Sequence, residues 1–329
     1  MGDSILAIPA ILSFRKHFPQ ARIDFVGAPI SAELFQNLPI DNHFTITRRY
    51  PGSALDYPLL LWRLRSMGYD LAVDVSCSQS ASGSFLVGFS RARYRVGLKG
   101  KWDQWFNVRI AKQSEINKYR ILPDFLRSLG LESDSGLPSL ALSGAEKEKG
   151  KRKIQALASH RSGRPTVGVF VGGRKTWGKR WPVRNFYELI TALYTRGLNV
   201  ITFIGPEEKN SIGFFRDALD SNIPIVFEPS SRVFAAMVSN CDLFVTCDSG
   251  PMHMACGLGI RTVAIFQNPN FDHWGPPSSV ARIVYEPGGC SAEEVFRISL
   301  EELTLDPTPS GMSEERTVTP HPPYPSRGN

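Results

Sequence analysis

The residues best equipped for chemistry lie in Val245–Phe266, VTCDSGPMHMACGLGIRTVAIF, where Asp248, Ser249, Gly250 and His253 crowd one turn and the helix that follows it. Gly250 lets the backbone come close to a ligand, and a helix start offers unpaired N–H donors with partial positive charge. That combination suits an anion. Asp and Ser are also ordinary helix caps, but capping leaves His253 and the neighbouring glycines unexplained.

A second anion-receptive turn is Val171–Pro182, VGGRKTWGKRWP. Gly172 and Gly173 free the backbone, while Arg174, Lys175, Lys179 and Arg180 bring positive charge to the next helix start. A diphosphate wants both backbone donors and mobile cations. The loop is not a Walker A motif, since GGRKTWGK runs into Arg180 rather than Ser or Thr. A third stretch, RARYRVGLKGKWDQWF, sets Arg91, Arg93, Arg95, Lys99 and Lys101 beside Trp102 and Trp105. It suits the phosphates or carboxylates of an acceptor, an anionic membrane surface, or simply a solvated strand edge. No recognition-helix or RNP-type pattern accompanies it, so nucleic acid is not expected as a partner. Asp3, in the Gly2–Asp3 pair, reads on position alone as a helix cap.

Strands and amphipathic helices alternate around these turns, the pattern of parallel α/β layers. The first half reads as a helix ending near His17, strand Arg22–Val26, helix Ala54–Met67, strand Leu71–Ser76, a helix around Ser82–Phe89 and strand Tyr94–Leu98. Helix Ile116–Leu129 follows, with Pro123 expected to kink or break it. Charged residues fill Gly144–Arg164, read as a solvated helix and then a linker, which puts the domain boundary near Arg161–Pro165. Strand Thr166–Val171 restarts the pattern. Helix Pro182–Arg196 has Val183, Phe186, Tyr187, Ile190, Leu193 and Tyr194 on one face, with Pro182 suited to its first position and Gly197 to its exit. Strand Asn199–Ile204, a helix near Glu208–Leu219, strand Pro224–Phe227, helix Arg232–Ser239 and a final helix Ala292–Leu303 complete the second half. Domains are expected over 1–162 and 163–305. Residues 306–329, with six prolines and little that is apolar, read as a disordered tail.

The chain has 329 residues, of which 42% are apolar, enough for two domains with separate cores. No apolar run reaches the roughly 20 residues that cross a bilayer, and no leader with a cleavage site opens the chain. The five cysteines are scattered without CxxC spacing, which fits a reduced cytoplasmic compartment and no structural zinc. A net charge of +7 favours acidic partners. A dehydrogenase is not expected, because no GxGxxG follows a strand with an acidic residue about 20 positions on.

Taken together, GDSILAIPAILSFRKHFPQARIDFVG at the start, KRWPVRNFYEL in the middle and CDSGPMHMACGLGIRTVAIF late in the chain resemble glycosyltransferase family 9, the ADP-heptose:lipopolysaccharide heptosyltransferases. The resemblance covers roughly residues 1–300, and it rests on the order and spacing of all three segments. It implies a GT-B fold, α/β with two Rossmann-like domains facing across a cleft, nucleotide-sugar donor on the C-terminal side and acceptor on the N-terminal side. It further implies a metal-independent inverting transfer without cofactor, of a heptose or related sugar from a nucleotide-diphosphate donor such as ADP-heptose to a lipopolysaccharide core-type acceptor, an acidic glycolipid at the inner membrane face. Asp3 becomes the general base in that picture. Lys179 falls on the family's Lys and is implied to offset charge on the leaving diphosphate, while Asp248, Ser249, Gly250 and His253 hold the donor together with Gly172, Gly173 and Arg180. Arg91, Arg93, Arg95, Lys99 and Lys101 become acceptor contacts. The family's opening strand before the GD motif has no counterpart here, so the true start is expected upstream and the first N-terminal strand is expected to be missing. Asn117 stands where the family often has His. Two other readings remain: a non-catalytic nucleotide-sugar binder, and another GT-B enzyme such as a nucleotide-sugar epimerase.

Overall fold

The computed structural model describes residues 1–46, 52–77, 80–112, 117–131, 137–157, 161–173 and 178–304. Arg174 and Lys175 of the basic loop, and the tail 306–329, lie outside the described residues. The first half runs α1 (Gly2–Leu6), α2 (Ile8–His17), β1 (Asp24–Gly27), α3 (Pro29–Leu34), β2 (Asn42–Thr45), α4 (Gly52–Ser66), β3 (Leu71–Val73), α5 (Ala81–Phe89), β4 (Tyr94–Leu98), β5 (Val108–Ile110) and α6 (Lys118–Ser128). Helix α6 continues through Pro123 without the break the sequence suggested. The strands form two separate parallel sheets, β1–β2 and β3–β4–β5. Among the described residues no strand joins β1 to β3, and ahead of β1 the regular structure is the helices α1 and α2.

After α7 (Gly144–Gln155), the second half runs β6 (Thr166–Val171), α8 (Val183–Thr195), β7 (Asn199–Ile204), α9 (Ile212–Ala218), β8 (Ile225–Val226), α10 (Ser231–Val238), β9 (Leu243–Cys247), α11 (Gly250–Gly257), β10 (Thr262–Phe266), α12 (Phe271–Trp274), β11 (Ala281–Tyr285) and α13 (Ala292–Thr304). Its six strands make one parallel sheet in the order β11–β10–β9–β6–β7–β8. Strands β6, β7, β9 and β10 are buried along their whole length. Their near-continuous apolar runs are what a sheet covered on both faces demands. Helix α8 lays Phe186, Leu189, Ile190 and Leu193 on that sheet, and Gly197 leaves it at φ +90°, a conformation costly for any residue with a Cβ. Pro182 stands one place earlier than expected, at the cap.

Helix α7 packs so tightly on α10 that a Cβ on Gly150 would stand 2.0 Å from the Ala236 carbonyl oxygen, which attaches α7 to the C-terminal half. The charged residues of α7 did read as a solvated helix, but the Gly150–Ile154 face is buried.

Arg232, 5% exposed, ties the halves together. Its Nε and Nη2 donate to Glu146 at 2.6 and 2.7 Å, Nη1 to the Leu34 carbonyl at 2.8 Å, and Nη2 also to the Ala141 carbonyl at 2.9 Å. Glu33 on α3 accepts from the Arg232 amide and the Ser230 hydroxyl. Removing one member of such a pair strands the other charge. Arg232→Ala should therefore destabilise the chain by about 3–5 kcal/mol in denaturant melts. Arg232 first, then the Ser143 cap and Asn37, hold the Glu146 carboxyl well below the usual carboxylate range. A depressed carboxylate stabilises the fold above its unfolded pKa of about 4.3 and stops doing so as the pH falls below it. Glu146→Gln should accordingly flatten the acid limb of stability below about pH 4.5 in melts run across pH.

Candidate active site

Strands β6 and β9 lie side by side, and both anion-receptive turns leave from their carboxyl ends. The chain runs outward from β6 through β7 and β8, and from β9 through β10 and β11 in the opposite direction. This reversal opens a crevice at the carboxyl ends, where open α/β sheets take ligands. Lys179 and Asp248, one from each turn, meet across it at 2.5 Å, and both are nearly buried at 8% and 5% exposure. Burial pushes the Asp248 carboxyl up, and the Lys179 ammonium opposes that push. Lys179 Nζ also lies 5.6 Å from the ring centroid of Trp274.

The loop glycines are set by close packing. A Cβ on Gly172 would fall 2.3 Å from the Phe170 ring, and one on Gly173 would fall 2.7 Å from the Lys179 carbonyl oxygen. The Gly173 amide donates to Glu208 at 3.3 Å, and burial raises the pKa of that carboxyl. Arg180 donates from Nη2 to the Ser211 hydroxyl at 3.2 Å. Ser249 stands at the cap position of α11 without capping it; its hydroxyl lies 3.2 Å from that of Thr246 instead. The start of α11 thus carries no side-chain cap, which answers the capping alternative raised by the sequence.

The N-terminal segment closes over this helix. A Cβ on Gly2 would stand 2.7 Å from His253 Cδ2, and one on Gly250 would stand 2.8 Å from Met1 Cβ, so α1 and α11 touch where each has glycine. Asp3, exposed in the first turn of α1, follows directly on this contact and lies within electrostatic reach of Lys118. Helix α6 adds three consecutive contacts from the same half. Asn117 caps α6 by accepting from the Tyr119 amide and donates across to the Gly275 carbonyl at 3.0 Å. Lys118 donates to the Cys77 carbonyl and sits 5.7 Å from the Trp274 centroid. The Tyr119 hydroxyl meets His253 Nδ1 at 2.6 Å. Burial, then the Lys179 ammonium, push the His253 pKa down to about 3, so the imidazole is neutral at physiological pH.

The five basic residues do not converge. Arg91 and Arg93 precede the amino end of β4, whereas Lys99 and Lys101 follow its carboxyl end, which puts the two pairs more than about 13 Å apart at strand rise. Arg95 donates to the Trp105 and Ala92 carbonyls and so braces the loop. Lys101 lies 5.3 Å from the Trp102 centroid and Arg93 5.3 Å from that of Tyr94. Only the Lys99–Lys101 end shares the sheet face on which such folds bind ligands. Sequence reasoning passed over Lys118, Tyr119, Trp274 and Glu208. Trp274 was signalled faintly by the turn-rich NPNFDHWGPP after a buried strand, and Tyr119 only by its place after the Asn117 cap.

The sequence model of glycosyltransferase family 9 (heptosyltransferase) matches residues 60–303. The lipooligosaccharide heptosyltransferase 2 of Campylobacter jejuni is 25% identical over 285 residues, covering 84% of this chain and 81% of that protein. Among solved structures, a family 9 glycosyl transferase from Veillonella parvula superposes with a TM-score of 0.78 at 17% identity, covering 92% of this chain and 94% of the other. The E. coli ADP-heptose lps heptosyltransferase II superposes with a TM-score of 0.73 at 21% identity, covering 92% and 95%. The fold is GT-B.

With its cation removed, Asp248 keeps only the burial that raises its pKa. Lys179→Met should therefore raise the Asp248 pKa further, read as a carboxylic-acid C=O infrared band that persists to higher pH than in the wild type and is absent from Lys179→Met/Asp248→Asn.

Proposed function

The chain belongs to glycosyltransferase family 9 and is a glycosyltransferase, and on that premise we propose that it moves a heptose from ADP-heptose to the core sugars of a lipopolysaccharide-type acceptor, with inversion at the anomeric carbon. One observation carries the reading: the Gly2–Asp3 turn rests on His253, beside the buried Lys179–Asp248 pair. A carboxylate on the acceptor-side wall thereby faces an anion-receptive crevice on the other. The Campylobacter jejuni lipooligosaccharide heptosyltransferase 2 suggests the sugar and the acceptor class, and the E. coli ADP-heptose lps heptosyltransferase II suggests the nucleotide.

The chemistry is a single displacement. Asp3 takes the proton of an acceptor hydroxyl as its oxygen bonds to the anomeric carbon. The bond from that carbon to the diphosphate oxygen breaks, and its electron pair leaves with the ADP. The carboxylate suits the task because it is exposed in the first turn of α1 and its oxygens are proton acceptors. Charge developing on the diphosphate is met by Lys179, by Arg180 and by the uncapped amides at the start of α11, so no metal or cofactor is required. His253, neutral in the crevice wall, offers a hydrogen bond without adding charge. Lys99 and Lys101 lie on the side where an acidic acceptor would approach. Among the described residues no helix is long and apolar enough to cross a membrane, and the proposed glycolipid is met at the inner membrane face, in the cytoplasm.

Purified chain, ADP-heptose and a heptose-free core oligosaccharide should yield a heptosylated product by mass spectrometry, with activity persisting in excess EDTA and the anomeric configuration inverted by NMR. Asp3→Asn should lower kcat by roughly 10²–10⁴ while donor affinity by calorimetry stays near wild type. Wild-type turnover in that variant removes Asp3 as base. Donor binding with no transfer in the wild-type chain favours a binder, and product formed without acceptor favours an epimerase.

A further inference from the structure

We propose that Tyr119 is a positioning residue for this site: from the opposite half of the molecule it fixes His253 in the tautomer protonated at Nε2. Its hydroxyl and His253 Nδ1 are 2.6 Å apart, with both side chains 3% exposed, so no bulk water competes for either group. A neutral imidazole carries one N–H, and the phenol carries one proton, so the direction of this bond decides the tautomer. Burial supplies the direction. Nδ1 is the acceptor within hydrogen-bond distance of the phenol, so a bond donated by Nδ1 instead would leave the phenol proton without a good acceptor in a buried place. The bond therefore runs from Tyr119 to Nδ1, which leaves the histidine proton on Nε2.

Nε2 points toward the Gly2–Asp3 turn, since a Cβ on Gly2 would stand 3.3 Å from it. His253 consequently presents a donor on the side of the proposed base, and its lone pair is turned away. Resting on the reaction proposed above, this keeps Asp3 as the single proton acceptor there. Placement of the phenol also depends on closure of the two halves, because Asn117 holds the first turn of α6 to the Gly275 carbonyl at 3.0 Å. Cleft geometry and histidine tautomer are thereby linked. In enzymes and metal sites generally, the hydrogen bond to one ring nitrogen sets what the other can do.

The test is ¹⁵N NMR of the imidazole nitrogens in the full chain without sugar donor, with the His253 signals assigned through His253→Gln among the six histidines. Wild type should show one tautomer, protonated at Nε2 and unprotonated at Nδ1. Tyr119→Phe should populate the Nδ1–H form and, in the transfer assay, lower kcat about tenfold with KM for the donor within about threefold. A wild-type histidine protonated at Nδ1, or an unchanged tautomer in Tyr119→Phe, overturns the proposal. If that variant does not fold, the wild-type spectrum decides alone. Because the spectra need no substrate, failure of the proposed reaction leaves this result readable.

Discussion

Helix α1 can lie on helix α11 only because glycine stands on each side of the contact. Gly2 lets the N-terminal turn sit against the His253 ring, and Gly250 makes room for the Met1 side chain. Any side chain at either place would push the helices apart by more than packed interiors tolerate. Every other relation at the site follows from this approach. It sets Asp3 one residue from the His253 contact and helps bury that imidazole, and burial is the main cause that keeps it neutral. The buried Lys179–Asp248 pair beneath it is the costlier element, since two desolvated charges are stable only while each keeps the other.

Holding two halves at that separation needs a second anchor away from the chemistry, and Arg232 provides it. Its guanidinium spends its donors on Glu146 and on the Leu34 and Ala141 carbonyls, a planar fork that lysine could not reproduce. The anchor lies on α10, next to α7, while the first turn of α6 grips α11 and α12 elsewhere. With contacts at two separate places, the halves resist twisting as well as separation.

Much of this was legible in the residues, for reasons that differ along the chain. Thr166–Val171 and Asn199–Ile204 read correctly because a strand buried on both faces must be apolar throughout. Helix α8 announced itself by its apolar face and by Gly197 at its exit. The short α3, β2 and β5 went unread, since three to six residues carry little periodicity. The buried edge of α7 went unread because a charged helix can still bury one glycine edge, as α7 does against α10. Both anion-receptive turns were visible from composition, but their meeting through Lys179 and Asp248 is a product of strand order. Asp3 gained its role only through the family resemblance. Tyr119 and Trp274 are ordinary core residue types whose importance lies in what they touch across the cleft. The basic stretch misled as a single cluster because strand β4 runs through its middle.

The N-terminal strands lie in two sheets of two and three, half-buried, while the C-terminal sheet is continuous across six strands and sealed on both faces at its centre. Local opening is cheapest where few buried contacts and few interstrand bonds must be given up together. Amide exchange in β1, β2, β3 and β5 therefore proceeds through shallow fluctuations, while that in β6 and β9 awaits global unfolding. The cleft accordingly has one stiff wall and one compliant wall. Adaptation to the shape of a bulky ligand falls to the compliant one, and the crevice floor stays fixed while its opposite face adjusts.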